Sequence, residues 1–249
     1  MQARAQQDGT QPICEFLKWD SQFFDLRIAR IVENRLTAER MAGALEWATS
    51  ESIDCLYLLV DSDDPQTIAL AEGNQFNFQD VRITLERRLP RSPDAEARTF
   101  EPLRSACPAD IPAIRSLAAI SHRTGRFHND RRFPGSRCEE LYQTWIEKSC
   151  TGLADRVFVV GHSGNPVGYL SCRVSPEGMG TFGLMAVDPK ARRQGIGERL
   201  VQNALRYFEE YGADRTIATI HGANYASQRL FQSFGFRTQS VQLWYHRWF

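Results

Sequence analysis

Val187-Asp188-Pro189-Lys190-Ala191-Arg192-Arg193-Gln194-Gly195-Ile196-Gly197 is the stretch of this chain richest in chemistry. It reads as a strand end, a tight turn and a helix start. Glycines at such a turn let the backbone approach a ligand closely. The helix N-terminus then presents free N–H groups and about half a positive charge. The chemistry this suits is holding a diphosphate. Arg192 and Arg193 supply charge-assisted donors, or else serve as solvated charges at the helix start. A Walker loop would need G-x-x-x-x-G-K-[ST], which the sequence does not contain. A Rossmann fingerprint needs a third glycine at a spacing that Gly195-Ile196-Gly197 does not meet.

Three other groups of residues carry chemistry. His221 closes an apolar run, where a neutral imidazole can act as a base or simply cap a strand end with a hydrogen bond. Tyr225 and Tyr245 offer hydroxyls, and either is equally at home packing. The segment 121–137 holds five arginines, of which Arg123, Arg126, Arg131 and Arg132, with His128, could meet an anionic diphosphate while Phe127 or Phe133 stacks on a ring. A solvated basic loop is the competing reading. The six cysteines lie apart with no Cys-x-x-Cys pair, so they read as reduced thiols and argue against a zinc ribbon. No metal site is expected.

These residues need elements to position them. The chain has 249 residues, 42% of them apolar and 24% charged, which is ample for a packed core. Its net charge is zero, so no broad nucleic-acid or membrane field is expected. No run of apolar residues approaches spanning length and the first residues lack an apolar leader core, so a cytoplasmic protein is expected. Residues 1–12 read as a frayed tail. Strands are predicted over 14–19, 26–32, 55–60 and 81–89, with helices over 37–50 and 65–72. The polar, proline-rich 91–98 reads as a linker between a domain over 13–90 and one over 99–249. In the second domain, helices over 109–120 and 139–149 precede a hairpin. Strand 181–187 leads through the glycine loop into the helix from Gly197, and strand, helix and strand follow over 216–220, 226–233 and 241–248. The fold class is α/β with a mixed sheet.

Residues 53–87 can be laid on 213–247 at a constant offset of 160. Asp54/Asp214, Leu70/Leu230, Phe76/Phe236, Gln79/Gln239, Val81/Val241 and Arg87/Arg247 then coincide. Both segments read strand–helix–strand. The N-terminal domain is expected to be a degenerate half-copy of the second, without a phosphate loop.

The pattern Arg192-x-x-Gly195-x-Gly197 after a strand, followed by Asn224 and then Phe231-Gln232-Ser233-Phe234-Gly235-Phe236, resembles motif A and its sequel in the GNAT acetyltransferase superfamily. The resemblance covers about 99–249. It implies a GNAT acyl-CoA N-acyltransferase fold with an extra, smaller N-terminal α/β domain, and acetyl-CoA as donor. It places the diphosphate on Arg192, Arg193, Gln194, Gly195, Ile196 and Gly197, and the pantetheine arm beside Met185, Ala186 and Val187. Asn224 and Phe231 complete the expected donor site. The family often has a tyrosine where this chain has Phe231, as the acid for the departing thiolate. Phe231 has no proton to give. A thiol of pKa about 8.5 makes unassisted departure about 2 kcal/mol uphill at pH 7, a modest penalty, and His221 and Tyr225 are the remaining candidates for proton transfer.

The opening Leu17-Lys18-Trp19-Asp20-Ser21-Gln22-Phe23-Phe24, with Gly125-Arg126-Phe127-His128 and Leu141-Tyr142-Gln143-Thr144-Trp145-Ile146, is similar to the dTDP-4-amino-4,6-dideoxygalactose N-acetyltransferases. That resemblance implies a nucleotide-activated amino sugar as acceptor, met by Arg126, Phe127, His128 and Arg131. Alternatives are another small amine (an amino acid, a polyamine or a protein amine) and a CoA-binding or regulatory module without catalysis. A second copy of the chain is the one protein partner considered.

Overall fold

A computed structural model of the chain describes residues 12–90 and 102–249. The expected tail up to residue 11 and the linker 91–98 lie outside the described residues. The described residues form two compact units, one from those up to 78 with 242–249, the other from those between 79 and 241. Each half of the chain thus lends its last strand to the other unit.

The first unit opens with β1 (Cys14–Phe16), α1 (Lys18–Phe24) and β2 (Ile28–Ile31). The strand expected over 14–19 stops at Phe16 because Leu17 starts a helix that turns Phe24 into the core. Then come α2 (Ala38–Ser50), β3 (Cys55–Asp61) and α3 (Pro65–Gly73). Thr37 caps α2 by accepting from the Arg40 N–H, and Met41, Ala44 and Ala48 form its buried stripe. β3 is buried from Cys55 to Val60, as its uninterrupted apolar run demands. It lies parallel to β2, with Ile28 opposite Cys55. β4 (Asn77–Arg88) begins in this unit and, from Gln79, belongs to the other.

The second unit continues with β5 (Arg104–Ser105), α4 (Ile111–Ser121), α5 (Arg126–Asn129) and α6 (Gly135–Lys148). The hairpin β6 (Arg156–His162) and β7 (Asn165–Val174) leads to β8 (Met179–Val187). Helix α7 (Ile196–Glu210), β9 (Arg215–His221), α8 (Tyr225–Ser233) and β10 (Arg237–Trp248) complete the chain. In this unit the strands run in the order β4-β9-β8-β7-β6-β5, with β8 and β9 parallel and the other neighbours antiparallel. The mixed α/β class expected from the sequence is the one observed. Leu200, Val201, Ala204, Leu205 and Phe208 press one face of α7 into the core beside Leu170, Phe182 and Ala218. Burying each such side chain stabilises by roughly 1.5–3 kcal/mol.

The offset of 160 holds element by element. β3 and β9 run over 55–61 and 215–221, α3 and α8 over 65–73 and 225–233, β4 and β10 over 77–88 and 237–248. The pairing repeats as well. In the second unit Arg82 faces His221 and Arg88 faces Arg215; in the first, Gln242 faces Asp61 and Trp248 faces Cys55. Asp64 and Asn224 cap α3 and α8 by accepting from the N–H of Thr67 and Ser227. Upstream the offset falls to 151, since Ile28 faces Cys55 as Met179 faces Arg215. The second unit is therefore nine residues longer between its β8 register and the end of α7. Those extra residues fall in the stretch that includes the glycine loop. Among the described residues no helix is long and apolar enough to cross a membrane.

Candidate active site

β8 and β9 pair only from Met179–Arg215 to Phe182–Ala218. Beyond that point β8 keeps β7, with Met185 opposite Leu170 and Val187 opposite Gly168, while β9 keeps β4. Two parallel strands that part leave an open wedge with unpaired backbone on its walls. The parting is built into β8 by a bulge, where its register against β7 shifts between Leu170 and Cys172. Ser171 Oγ accepts from the Leu184 N–H at 2.9 Å and donates to the Leu184 carbonyl at 3.4 Å. Met185, Ala186 and Val187 form the far end of this strand. Ala186 is buried, and Met185 and Val187 are half-buried against the core.

The chain then turns into α7. Arg193 and Gly195 both take positive φ, 63° and 73°. A Cβ built on Gly195 meets nothing within 4 Å, so the turn is open on its outer side. The first helical bond runs from the Arg199 N–H to the Gly195 carbonyl at 3.0 Å. The N–H groups of Ile196, Gly197 and Glu198 precede it, and no side chain caps them. In the first unit Thr37 fills that role on the corresponding α2. An uncapped helix start in an open, left-handed turn is a cradle for an anion. Arg192 Nε donates to the Val187 carbonyl at 3.3 Å, tying strand end to loop, and Gln194 is exposed beside it. The residues expected to hold a diphosphate are thus together.

His221 ends β9 at the mouth of the wedge. Its Nδ1 donates to Asp80 Oδ2 at 2.5 Å, and Asp80 is 5% exposed. Asp80 Oδ1 accepts from the Val81 N–H. The Gly222 N–H donates to the Val81 carbonyl at 2.7 Å, which extends the β4–β9 ladder past His221. Asn224 sets the start of α8, and Gln228 Nε2 donates to the Gly222 carbonyl. Tyr225, the first residue of α8, is 64% exposed, with its hydroxyl available to the surface. Phe231 is inside, with its ring edge-on to Phe182 at 4.9 Å and to Phe236 at 5.2 Å. Its position is that of a core residue beside the start of the wedge. Tyr245 belongs to the first unit, where its hydroxyl donates to Glu72.

The arginine segment does not form one cluster. Arg123 pairs with Glu139, and Arg137 with Glu140. Arg126 lies over the Phe127 ring at 4.2 Å, while Arg131 is exposed. Phe127 is buried against Phe133 and Trp145, so it anchors the segment and has no free face for a ligand ring. His128 stacks with Tyr142 at 5.8 Å, and His122 stacks with the same ring at 4.9 Å. His122 also shares a 3.0 Å hydrogen bond with the Tyr169 hydroxyl. Burial, with the charges of His221 and His128 behind it, pushes the His122 pKa down to about 4. Burial likewise lowers that of His128 and lifts the Tyr142 phenol to about 12. Asn129 Nδ2 donates to the Gln79 carbonyl at 2.6 Å, so the segment is fastened to β4.

Sequence reasoning did not find Asp80, His122, Tyr142 or Tyr169 as site residues. Asp80 carried one usable signal, an acid two positions before the strand residue that faces His221, but only a known strand register reveals it. Among the described residues no group of three or more His, Cys, Asp or Glu side chains is placed to hold a metal ion.

A parallel strand pair splays beside an uncapped, glycine-entered helix. Residues 124–236 match the profile of the Acetyltransferase (GNAT) family. Two mycothiol acetyltransferases are among its curated relatives. The one from Thermomonospora curvata is 26% identical over 193 residues, 72% of this chain and 58% of that protein. The one from Thermobispora bispora is 29% identical over 111 residues, 42% of this chain and 36% of that protein. The chain thus spans little more than half of these relatives at most. Among solved structures, a GCN5-related N-acetyltransferase from Sphaerobacter thermophilus superposes with a TM-score of 0.65 at 13% identity, covering 94% of this chain and 76% of that one. A tandem GNAT protein from the clavulanic acid biosynthesis pathway gives 0.56 at 14% identity, covering 89% and 75%.

Proposed function

We propose that the protein is an N-acetyltransferase that moves an acetyl group from acetyl-CoA to the primary amine of a small acceptor. The observation that carries this reading is the open wedge between β8 and β9 with the uncapped start of α7 at its end. The N–H groups of Ile196, Gly197 and Glu198, with Arg192, Arg193 and Gln194, would hold the diphosphate. The backbone of Met185, Ala186 and Val187 would bind the pantetheine arm as an added strand. Bound there, acetyl-CoA supplies an activated acyl group. The chain's own contribution is orientation and proton transfer at His221, with Tyr225 as the exposed hydroxyl near the same strand end.

The acceptor reading rests on less. The curated relatives favour an amine of the kind that mycothiol acetyltransferases accept. A nucleotide-activated amino sugar, suggested by the Arg126-Phe127 pair, is supported less, because Arg123 and Arg137 are engaged by glutamates and Phe127 is buried. We read the first unit as a degenerate copy that retains the strand–helix–strand frame but lacks the nine residues and the uncapped helix start. Buried Phe231 favours one competing reading, a CoA-binding module without turnover. Thiol release from acetyl-CoA in the presence of a mycothiol precursor, a nucleotide amino sugar, amino acids and polyamines separates these readings. Acceptor-dependent release supports the enzyme, while tight acetyl-CoA binding without release to any amine supports the module.

A further inference from the structure

We propose that Asp80 is a positioning residue for His221, so that a residue outside the segment matching the family profile completes the catalytic base. This inference rests on the acetyl-transfer reading above. The profile begins at residue 124, and Asp80 reaches the site on β4, a strand from the N-terminal half of the sequence.

The geometry is that of an oriented base. A carboxylate accepts but does not donate, so the 2.5 Å contact fixes the proton of neutral His221 on Nδ1. Nε2 then carries the lone pair, and among the described residues it has no hydrogen-bond partner. Gly125 packs closely against the His221 ring, nearest Cε1 between the two nitrogens, where only a residue without a side chain fits. A side chain there would put its Cβ 2.6 Å from Cε1 and 2.9 Å from Nε2 of His221, and Gly125 also has φ +117°. Asp80 is itself fixed, being 5% exposed and held by the Val81 N–H. A surface ion pair would not need this burial, nor a glycine packed against the imidazole.

In the step this serves, the acceptor nitrogen bonds to the acetyl carbon as the carbon–sulfur bond breaks and sulfur leaves with the electron pair. The proton shed by nitrogen goes to His221 Nε2, and Asp80 stabilises the imidazolium. The groups that face His221 are Asp80 and Arg82 on β4, His122 at the end of α4 and His128 on α5. Of these only Asp80 is an acid.

The test compares Asp80→Asn and Asp80→Glu with the wild type. Nitrogen-15 NMR of His221 in the free protein should show protonated Nδ1 in the wild type and a shift toward protonated Nε2 in Asp80→Asn. With a working acceptor, kcat/KM at neutral pH should fall about 100-fold in Asp80→Asn. Asp80→Glu should recover part of the rate, and acetyl-CoA affinity should stay within about twofold in both. A merely structural Asp80 would alter folding or affinity and leave the His221 tautomer in place. An unchanged tautomer, or an unchanged kcat/KM, in Asp80→Asn overturns the proposal. The expected tautomer shift in a protein that transfers acetyl to no amine overturns the acetyl-transfer reading instead. Should Asp80→Asn not fold, the wild-type spectrum decides: protonated Nδ1 supports the proposal and protonated Nε2 ends it.

Discussion

The Ser171 hydroxyl occupies the space that a side chain at residue 183 would need. A Cβ at residue 183 would clash with Ser171 Oγ and come within 3.2 Å of the Ser171 carbonyl, so a side chain there must turn the hydroxyl away from the Leu184 backbone that it bonds within the bulge. Gly183→Ala should therefore displace the bulge and swing the strand end that carries Met185 and Val187. We expect a loss of about 1–3 kcal/mol in stability and a fall of roughly tenfold in acetyl-CoA affinity, for about 1.4 kcal/mol of lost fit. Denaturant titration and calorimetry measure the two losses, and unaltered affinity would show that the bulge does not shape the donor site.

Gly195 lies at φ 73° in open space. Gly195→Ala meets no steric wall but strains the backbone, costing about 1 kcal/mol. Gly195→Asp adds to that strain a carboxylate at the uncapped helix start. It should abolish acetyl-CoA binding in titration calorimetry while the protein stays folded. Retained binding would mean that the diphosphate sits elsewhere.

Phe231→Tyr tests the missing hydroxyl. In the free protein the added oxygen enters a packed aromatic cluster, and an unpartnered hydroxyl there costs about 1–3 kcal/mol. We expect a lower melting temperature and no gain in turnover. A rise in kcat would show that the ring tip reaches the departing sulfur and that the acid had simply been absent.

His122 should stay neutral through mildly acidic conditions. Its folded pKa of about 4 lies below the usual value of 6.5. The unfolded chain therefore binds this proton first as pH falls. Stability carried by neutral His122 is full above about pH 6.5 and is lost progressively down to about pH 4. The His122 ring signals should not titrate above pH 5, and His122→Phe should flatten the acid limb of the stability profile. Ordinary titration near 6.5 would contradict the burial of this ring against Tyr142 and Tyr169.

Local chemistry was legible where it was local. The glycines, the helical spacing of Leu200, Ala204 and Phe208, and the Asn224 cap announced the loop, α7 and α8 from neighbouring residues alone. Helix α1 was missed because Cys14, Phe16, Leu17 and Trp19 look like one apolar strand, and only their packing separates the two elements. The offset of 160 residues was visible in six identities. That β4 and β10 each pair in the other half's unit was not, since strand register is set by partners far away in sequence. Asp80 stayed hidden for the same reason, 141 positions from the histidine it holds.

Residues 79–88 and 242–249 are each synthesised with one half of the chain and used by the other. Neither half is thus a self-sufficient piece. A fragment ending near residue 90 would lack the strand that completes its sheet, and a fragment starting near 102 would lack both that sheet neighbour of β9 and the carboxylate behind His221. Co-expressed, the two fragments should complement one another where each alone fails. The first half can therefore lack a ligand loop of its own, but its last strand is structurally required by the second unit.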